Sequence, residues 1–275
     1  MPDLYAVIGN PVSHSKSPLI HSAFAQQTQQ SMQYTALLAP IGGFKMTVEN
    51  FRQQGGKGLN VTVPFKLEAF QLSTRLTERA TIAQAVNTLK FDDDEILGDN
   101  TDGAGLVCDI ELNLSIPIAA KRILLLGAGG AARGVILPLL QKHPALLAVA
   151  NRTISKAKML QEQFMMYGNI AAGDFSQFSK EKFDIIINAT SASLHNELPG
   201  IGPGAFKHAE LAYDMMYNLD AYTPFLKFAQ QHGARQLADG IGMLVEQAAE
   251  SFFVWRHVKP QTKPVIAMLK SANKI

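Results

Sequence analysis

Residues 122–142 read Arg-Ile-Leu-Leu-Leu-Gly-Ala-Gly-Gly-Ala-Ala-Arg-Gly-Val-Ile-Leu-Pro-Leu-Leu-Gln-Lys, and this stretch limits the fold more than any other. The apolar run 123–126 is stopped by glycine, as expected of a strand buried on both faces of a parallel sheet. A G-x-G-x-x-A turn follows at once, and a helix is predicted over 131–142. Such a glycine pattern is informative only between a strand and a helix, which is where it stands here. Gly127 permits the tight turn, Gly129 admits close approach of a pyrophosphate, and Ala132 lets the helix pack against the strand. The amides at the helix N-terminus, Gly130 and Ala131 among them, then attract phosphate oxygens. A glycine-rich turn that binds nothing is the bland alternative.

The surrounding pattern repeats that unit. Strands are predicted at Leu146–Ala150, 183–188 and Leu211–Asp214, with helices over 154–166 and 223–232. Strands alternating with helices indicate βαβ units joined by right-handed crossovers. Before residue 103 the reading is more mixed: strands at 4–8 and 58–63, helices after Pro18 and over 77–86, and a hairpin around 92–94. Two helices close the chain, over 242–257 and from about 264. At 275 residues, the length fits about two domains.

Composition removes several classes. Apolar residues make up 47% of the chain and charged residues 17%, which argues for packed cores rather than disorder. Lys plus Arg number 25 against 23 acidic residues, so no broad basic face for nucleic acid is expected. Cys108, the single cysteine, excludes an intrachain disulfide and a cysteine-built zinc site. The histidines lack H-x-x-x-H spacing, and no metal site is expected. The opening Met1-Pro2-Asp3-Leu4-Tyr5 has no signal-peptide character. The apolar stretch around residue 130 is broken by Arg133, Pro138 and glycines, making it a poor membrane span. A cytoplasmic protein is expected.

The end of the second strand of the βαβ unit distinguishes the dinucleotides. An NAD site places a carboxylate there to hold the ribose 2′-hydroxyl. This chain has Asn151-Arg152-Thr153, with Lys156 one helical turn on. No acid is present to repel a 2′-phosphate, and a guanidinium is available to pair with it, which favours NADP. Thr153 can equally cap the helix that follows.

Three short segments before residue 103 collect polar groups. They are Ser13-His14-Ser15-Lys16-Ser17, Asn60-Val61-Thr62-Val63-Pro64-Phe65-Lys66, and Asn87-Thr88 with Gly98-Asp99-Asn100-Thr101-Asp102-Gly103. The serine cluster reads equally as a helix cap, and the acidic turn as turn chemistry. In the second segment, strand alternation puts Asn60 and Thr62 on one face, with Lys66 just past the strand's end. Hydroxyls, amides, one lysine and one carboxylate together suit a small, polyhydroxylated, anionic substrate and an acid–base step.

These blocks, with Ala85-Val86-Asn87-Thr88, Asn188-Ala189-Thr190-Ser191, Tyr213-Asp214-Met215 and Gly242-Met243-Leu244-Val245-Glu246-Gln247-Ala248, resemble the shikimate dehydrogenase family in content and order. The resemblance implies NADPH-dependent, reversible reduction of 3-dehydroshikimate to shikimate in aromatic amino-acid biosynthesis. It implies an α/β fold of two domains: a substrate domain over 1–103, a Rossmann-like NADP-binding domain over 104–239, and C-terminal helices over 240–275 returning to the first. Carried over, Lys66 and Asp102 are the catalytic pair. Ser15, Ser17, Asn60, Thr62, Asn87, Tyr217 and Gln247 bind substrate. Gly127, Ala128, Gly129, Gly130, Ala131, Asn151, Arg152, Thr153, Lys156, Ala189, Thr190, Met215 and Gly240 bind NADP. The family commonly carries a glycine soon after Asn188-Ala189-Thr190-Ser191, where this chain has Ala192-Ser193-Leu194. Partners are the small substrate alone, with a monomer or homodimer. A quinate or dual quinate/shikimate dehydrogenase is the nearest alternative, and a non-catalytic NADPH-binding regulator a more distant one.

Overall fold

Residues Met1–Gly105 with Val245–Ala267 form one unit, and Leu106–Leu244 with the chain from Met268 form a second. The computed structural model describes residues 1–195, 197–218 and 221–271.

The first unit is built on a six-stranded mixed sheet. In chain order its elements are β1 (Asp3–Gly9), α1 (Ser17–Gln27), β2 (Met32–Leu38), α2 (Phe44–Gln53), β3 (Gly56–Val61), α3 (Lys66–Leu72), β4 (Arg75–Leu76), α4 (Glu78–Ala83), β5 (Thr88–Asp92), β6 (Glu95–Asp99) and the start of α5 (Asp102–Cys108), as far as Gly105. The sheet order is β2-β1-β3-β5-β6-β4. β1 pairs in parallel with both β2 and β3, so its apolar run is covered on each side. β5 then runs antiparallel to β3 and to β6. Its register sets Asn60 opposite Thr88 and Thr88 opposite Asp99. One end of the sheet therefore carries the polar ends of β3 and β6 and the start of β5 in a row.

The predicted helix over 77–86 is shorter, ending at Ala83 because Gln84 turns left-handed (φ 51°). Thr77 caps it, its side chain accepting from the Ala80 amide. The predicted strand 58–63 shifts to Gly56–Val61, and Lys66 opens α3 rather than lying in a loop.

The second unit holds a six-stranded sheet that is parallel at every pairing. Its elements are β7 (Arg122–Leu126), α6 (Gly130–Leu140), β8 (Leu146–Ala150), α7 (Ile154–Phe164), β9 (Ile170–Gly173), α8 (Phe175–Phe178), β10 (Ile185–Asn188), β11 (Leu211–Asp214), α9 (Pro224–Gln231) and β12 (Gln236–Ala238). The order β12-β11-β10-β7-β8-β9 reverses direction between β7 and β10. A crevice outside the carboxyl ends of strands at such a switch point is the usual ligand site of doubly wound sheets. Ile123, Leu124, Leu125 and Leu126 are all fully buried, as a strand covered on both faces requires. Two further helices, α10 (Ile241–Arg256) and α11 (Lys263–Ser271), complete the chain. Among the described residues no helix is long and apolar enough to cross a membrane.

Candidate active site

At the polar end of the first sheet the Lys66 ammonium donates to Asp102 Oδ2 at 2.5 Å. Lys66 is brought there by the turn in which the Phe65 amide bonds the Thr62 carbonyl, immediately before α3. Asp102 opens α5, where the positive end of the helix dipole favours a carboxylate. Its other oxygen accepts from Asn87 Nδ2 at 2.8 Å. The same amino group lies 2.9 Å from Thr101 Oγ1 and 3.3 Å from Gln247 Oε1. Gln247 reaches this point because Gly105 has no side chain: a Cβ there would lie 2.7 Å from both the Gln247 backbone nitrogen and Cβ.

β6 is braced just before this turn. Arg79 grips buried Asp99 with two hydrogen bonds of 2.7 and 2.6 Å, and Thr77 donates to it at 2.6 Å. Burial pushes the Asp99 carboxyl up, but Arg79 and Thr77 outweigh it and hold it below its ordinary value.

Asn60 lies deeper. Its carbonyl accepts from the Tyr34 hydroxyl at 2.8 Å and faces His21 Nε2 at 3.1 Å. Its amino group donates to Ser251 Oγ at 2.9 Å. Thr62 is half-buried just past β3, and Ser15 is half-buried before α1. Lys16, not a serine, holds the N-cap position of α1, and no side chain caps it. Ser15 Oγ accepts from the Ser17 amide at 3.3 Å, and Ser17 is buried. The serine cluster thus does not cap the helix. The structure gathers Lys66, Asp102, Asn87 and Gln247 into direct contact and places Asn60 beneath them.

The sequence motifs pass over His21, Tyr34, Thr88 as a buried link, and Ser251. Ser251 carries one signal, a hydroxyl four residues after Gln247 on a helix stripe that otherwise includes Leu244, Ala248, Phe252 and Trp255.

His21 stacks on Tyr34 with ring centroids 4.2 Å apart, and its Nδ1 has no partner among the described residues. Burial lowers its pKa from 6.5 to about 3, with the Asn60 bond opposing weakly. The folded protein therefore keeps the ring neutral while the unfolded chain protonates below pH 6.5. Stability is full above that pH and declines by about 1.4 kcal/mol per pH unit as pH falls toward 3. At pH 5 this one group is expected to cost about 2 kcal/mol. Urea unfolding of the wild type and His21→Gln between pH 7 and 5 checks it. Parallel pH dependences would remove the assignment.

In the second unit Gly127 follows β7 with φ +109°, and a Cβ there would lie 3.2 Å from the Ala189 carbonyl. Ala128 is half-buried, whereas Gly129 and Gly130 are exposed, and a Cβ on either glycine would meet nothing within 4 Å. The turn leaves open space in front of the first amides of α6, including that of Ala131, as a dinucleotide pyrophosphate requires. After β8, Asn151 Nδ2 donates to the Thr153 carbonyl at 2.9 Å, fixing the turn. Thr153 occupies the N-cap of α7 but its side chain makes no cap bond, so capping does not explain it. Arg152, Thr153 and Lys156 are exposed.

Past β10, the Ala189 amide donates to the Leu126 carbonyl at 2.9 Å. Thr190 turns back to Asn188 Oδ1 through both its amide and its hydroxyl. Ala192–His195 is a short 3-10 turn. Ser193 Oγ donates to buried Asp214 at 2.7 Å, and neither Ala192 nor Ser193 has positive φ. The loop needs no glycine at those positions. Burial raises the Asp214 carboxyl despite bonds from Thr223, Ser193, Met216 and Asn188. The Met215 amide donates to the Asn188 carbonyl, and Gly240 packs so close to the Met215 carbonyl that a Cβ would lie 2.2 Å from it. Tyr217 also belongs to this unit, half-buried after β11. Among the described residues no cluster of His, Cys, Asp and Glu could hold a metal ion.

Comparison with known proteins finds relatives over nearly the whole chain. Family models match in three stretches: the shikimate dehydrogenase substrate binding domain over residues 7–89, shikimate / quinate 5-dehydrogenase over 111–196, and the shikimate 5′-dehydrogenase C-terminal domain over 240–270. A shikimate dehydrogenase (NADP(+)) of Nitrosospira multiformis is 61% identical, covering 99% of this chain and 98% of that protein. An Ael1 enzyme from Pseudomonas putida superposes with a TM-score of 0.92 at 48% identity, covering 97% of this chain and 98% of that one. Shikimate 5-dehydrogenase from Thermus thermophilus, solved with NADP(H) and shikimate, superposes at 0.85 and 26% identity over 98% and 99% of the two chains. With such identity over nearly its full length, the chain belongs to the shikimate dehydrogenase family.

Proposed function

We propose that this chain is an NADP-dependent shikimate dehydrogenase that reversibly reduces 3-dehydroshikimate to shikimate, with Lys66 and Asp102 as its acid–base pair. The observation carrying this reading is the Lys66–Asp102 ion pair set among Asn87, Thr101 and Gln247. The first unit acts as the substrate domain and the second as the dinucleotide domain.

NADPH, when bound, supplies the hydride. Lys66 protonates the carbonyl oxygen as negative charge develops on it and takes the proton back in the reverse direction. Asp102 holds the ammonium in place and accepts from a neighbouring substrate hydroxyl. Ser15 and Ser17 bind the substrate carboxylate, while Asn60, Thr62, Asn87 and Gln247 hold its polar groups and Tyr217 lies nearby. The turn 127–131 takes the pyrophosphate. Asn151, Arg152, Thr153 and Lys156 hold the adenosine 2′-phosphate. Ala189, Thr190, Met215 and Gly240 border the nicotinamide half. The enzyme works in the cytoplasm as a monomer or homodimer.

Initial rates with shikimate or quinate and NADP or NAD, followed by absorbance of the reduced cofactor, test the reading. Turnover of shikimate with NADP well above the other three pairs is expected. Comparable rates on quinate would establish the dual enzyme, and no turnover with any pair a binding protein. Arg152 is exposed on the turn after β8, so its charge is open to a phosphate. Arg152→Ala is expected to raise KM for NADP about tenfold or more, the worth of a charge-assisted hydrogen bond. KM for NAD should stay within about twofold, since that cofactor lacks the 2′-phosphate. Equal losses with both cofactors would remove its role.

A further inference from the structure

The amide groups beneath Asp102 have fixed directions of donation, while the Thr88–Ser251 hydroxyl contact can be donated from either side. The Asn60 carbonyl can only accept, and it faces Tyr34 Oη at 2.8 Å and His21 Nε2 at 3.1 Å, so His21 is protonated on Nε2. The Asn60 amino group is consequently the end that donates to Ser251 Oγ at 2.9 Å. Ser251 lies 2.8 Å from Thr88 Oγ1, and Thr88 donates to the Asn87 carbonyl at 2.9 Å. The Thr101 amide donates to that same carbonyl at 2.9 Å. Asn87 is left with its amino group toward Asp102 Oδ1 at 2.8 Å, while Lys66 occupies the other carboxylate oxygen.

We infer that Ser251 and Thr88 are positioning residues for the acid–base pair, linking Asn60 to Asn87 in a hydrogen-bonded chain that ends on Asp102. This rests on the reading of Lys66 and Asp102 as that pair. Thr88 and Ser251 are wholly buried, so neither hydroxyl can replace a lost partner with water. A reversed Asn87 would set its carbonyl against the carboxylate and its amino group against the Thr101 amide, two repulsive contacts in place of two bonds. Ser251 also lies 3.0 Å from the Gln247 carbonyl, one helical turn back. That bond alone is a common way to satisfy a helical serine, and it would leave the site indifferent to the hydroxyl. The contacts to Thr88 and Asn60, the latter 191 residues away in sequence, are what connect it to Asp102.

Ser251→Ala, Thr88→Val, Thr88→Ser and the Ser251→Ala/Thr88→Val double variant test the inference. Ser251→Ala and Thr88→Val are each expected to lower kcat about tenfold with KM for shikimate and NADP within about twofold, an effect of the size of one buried hydrogen bond. Thr88→Ser retains the hydroxyl and should keep most of the rate. Links of one chain do not add, so the double variant should be no slower than the worse single. Unchanged kcat, or losses that multiply in the double, would overturn the inference. An activity-free readout is the Asn87 side-chain amide in nitrogen-15 NMR. Its protons should exchange with water about tenfold faster or more in Ser251→Ala than in the wild type, as expected once a buried bond is lost. Unchanged exchange would also overturn the inference. Should the wild type itself fail to turn over shikimate, the proposed function fails and the NMR result still decides this one.

Discussion

Replacing Lys66 with alanine is expected to lower kcat by about 10²-fold or more, as loss of a positioned general acid–base group does. KM for shikimate should change only a few-fold, because Ser15, Ser17 and Gln247, the residues proposed to hold the substrate, remain. Lys66→Arg separates charge from proton transfer. A guanidinium still pairs with Asp102, but it does not release a proton in a protein. That variant should keep the fold and the ion pair and remain nearly as slow as Lys66→Ala. Stopped-flow or steady-state rates with shikimate and NADP read both. Near-wild-type turnover in either variant would sink the assignment of Lys66 as the proton carrier.

Much of this arrangement is legible in the chain, and the parts that are not have physical reasons. The turn at Gly127 is local: strand, glycines and helix are contiguous, so the motif and the structure coincide. Asn60, Lys66, Asn87 and Asp102 can be named separately, but their meeting depends on β5 running antiparallel between β3 and β6. No spacing reveals that register. β2 and α2 escape notice because β2 is an edge strand with several exposed positions and α2 is rich in polar residues. The Thr77 cap on the Ala80 amide is hidden within a longer helical pattern that Gln84 breaks by its backbone, not its side chain. Ser251 and His21 become meaningful only once α10 is known to pack against the start of β5.

Gly127→Val is expected to weaken NADP binding about 100-fold, or roughly 3 kcal/mol. Two independent features make this position intolerant. Its φ of +109° lies in a region that a β-branched residue adopts only under strain. Its missing Cβ faces the Ala189 carbonyl and Thr190 Cγ2, each 3.2 Å away, so the branched side chain would also push on the neighbouring loop. The turn can relieve both only by rotating, which withdraws the amides that α6 presents to the pyrophosphate and shifts Ala189 and Thr190. Gly130→Ala provides the contrast, since its added Cβ meets nothing and its φ is not in the left-handed region. That variant should lose affinity only through contact with the ligand itself and leave the melting temperature unchanged. Calorimetric titration with NADP, with thermal unfolding of both variants, measures the two effects together. Wild-type affinity in Gly127→Val would mean that the cofactor does not sit on this turn.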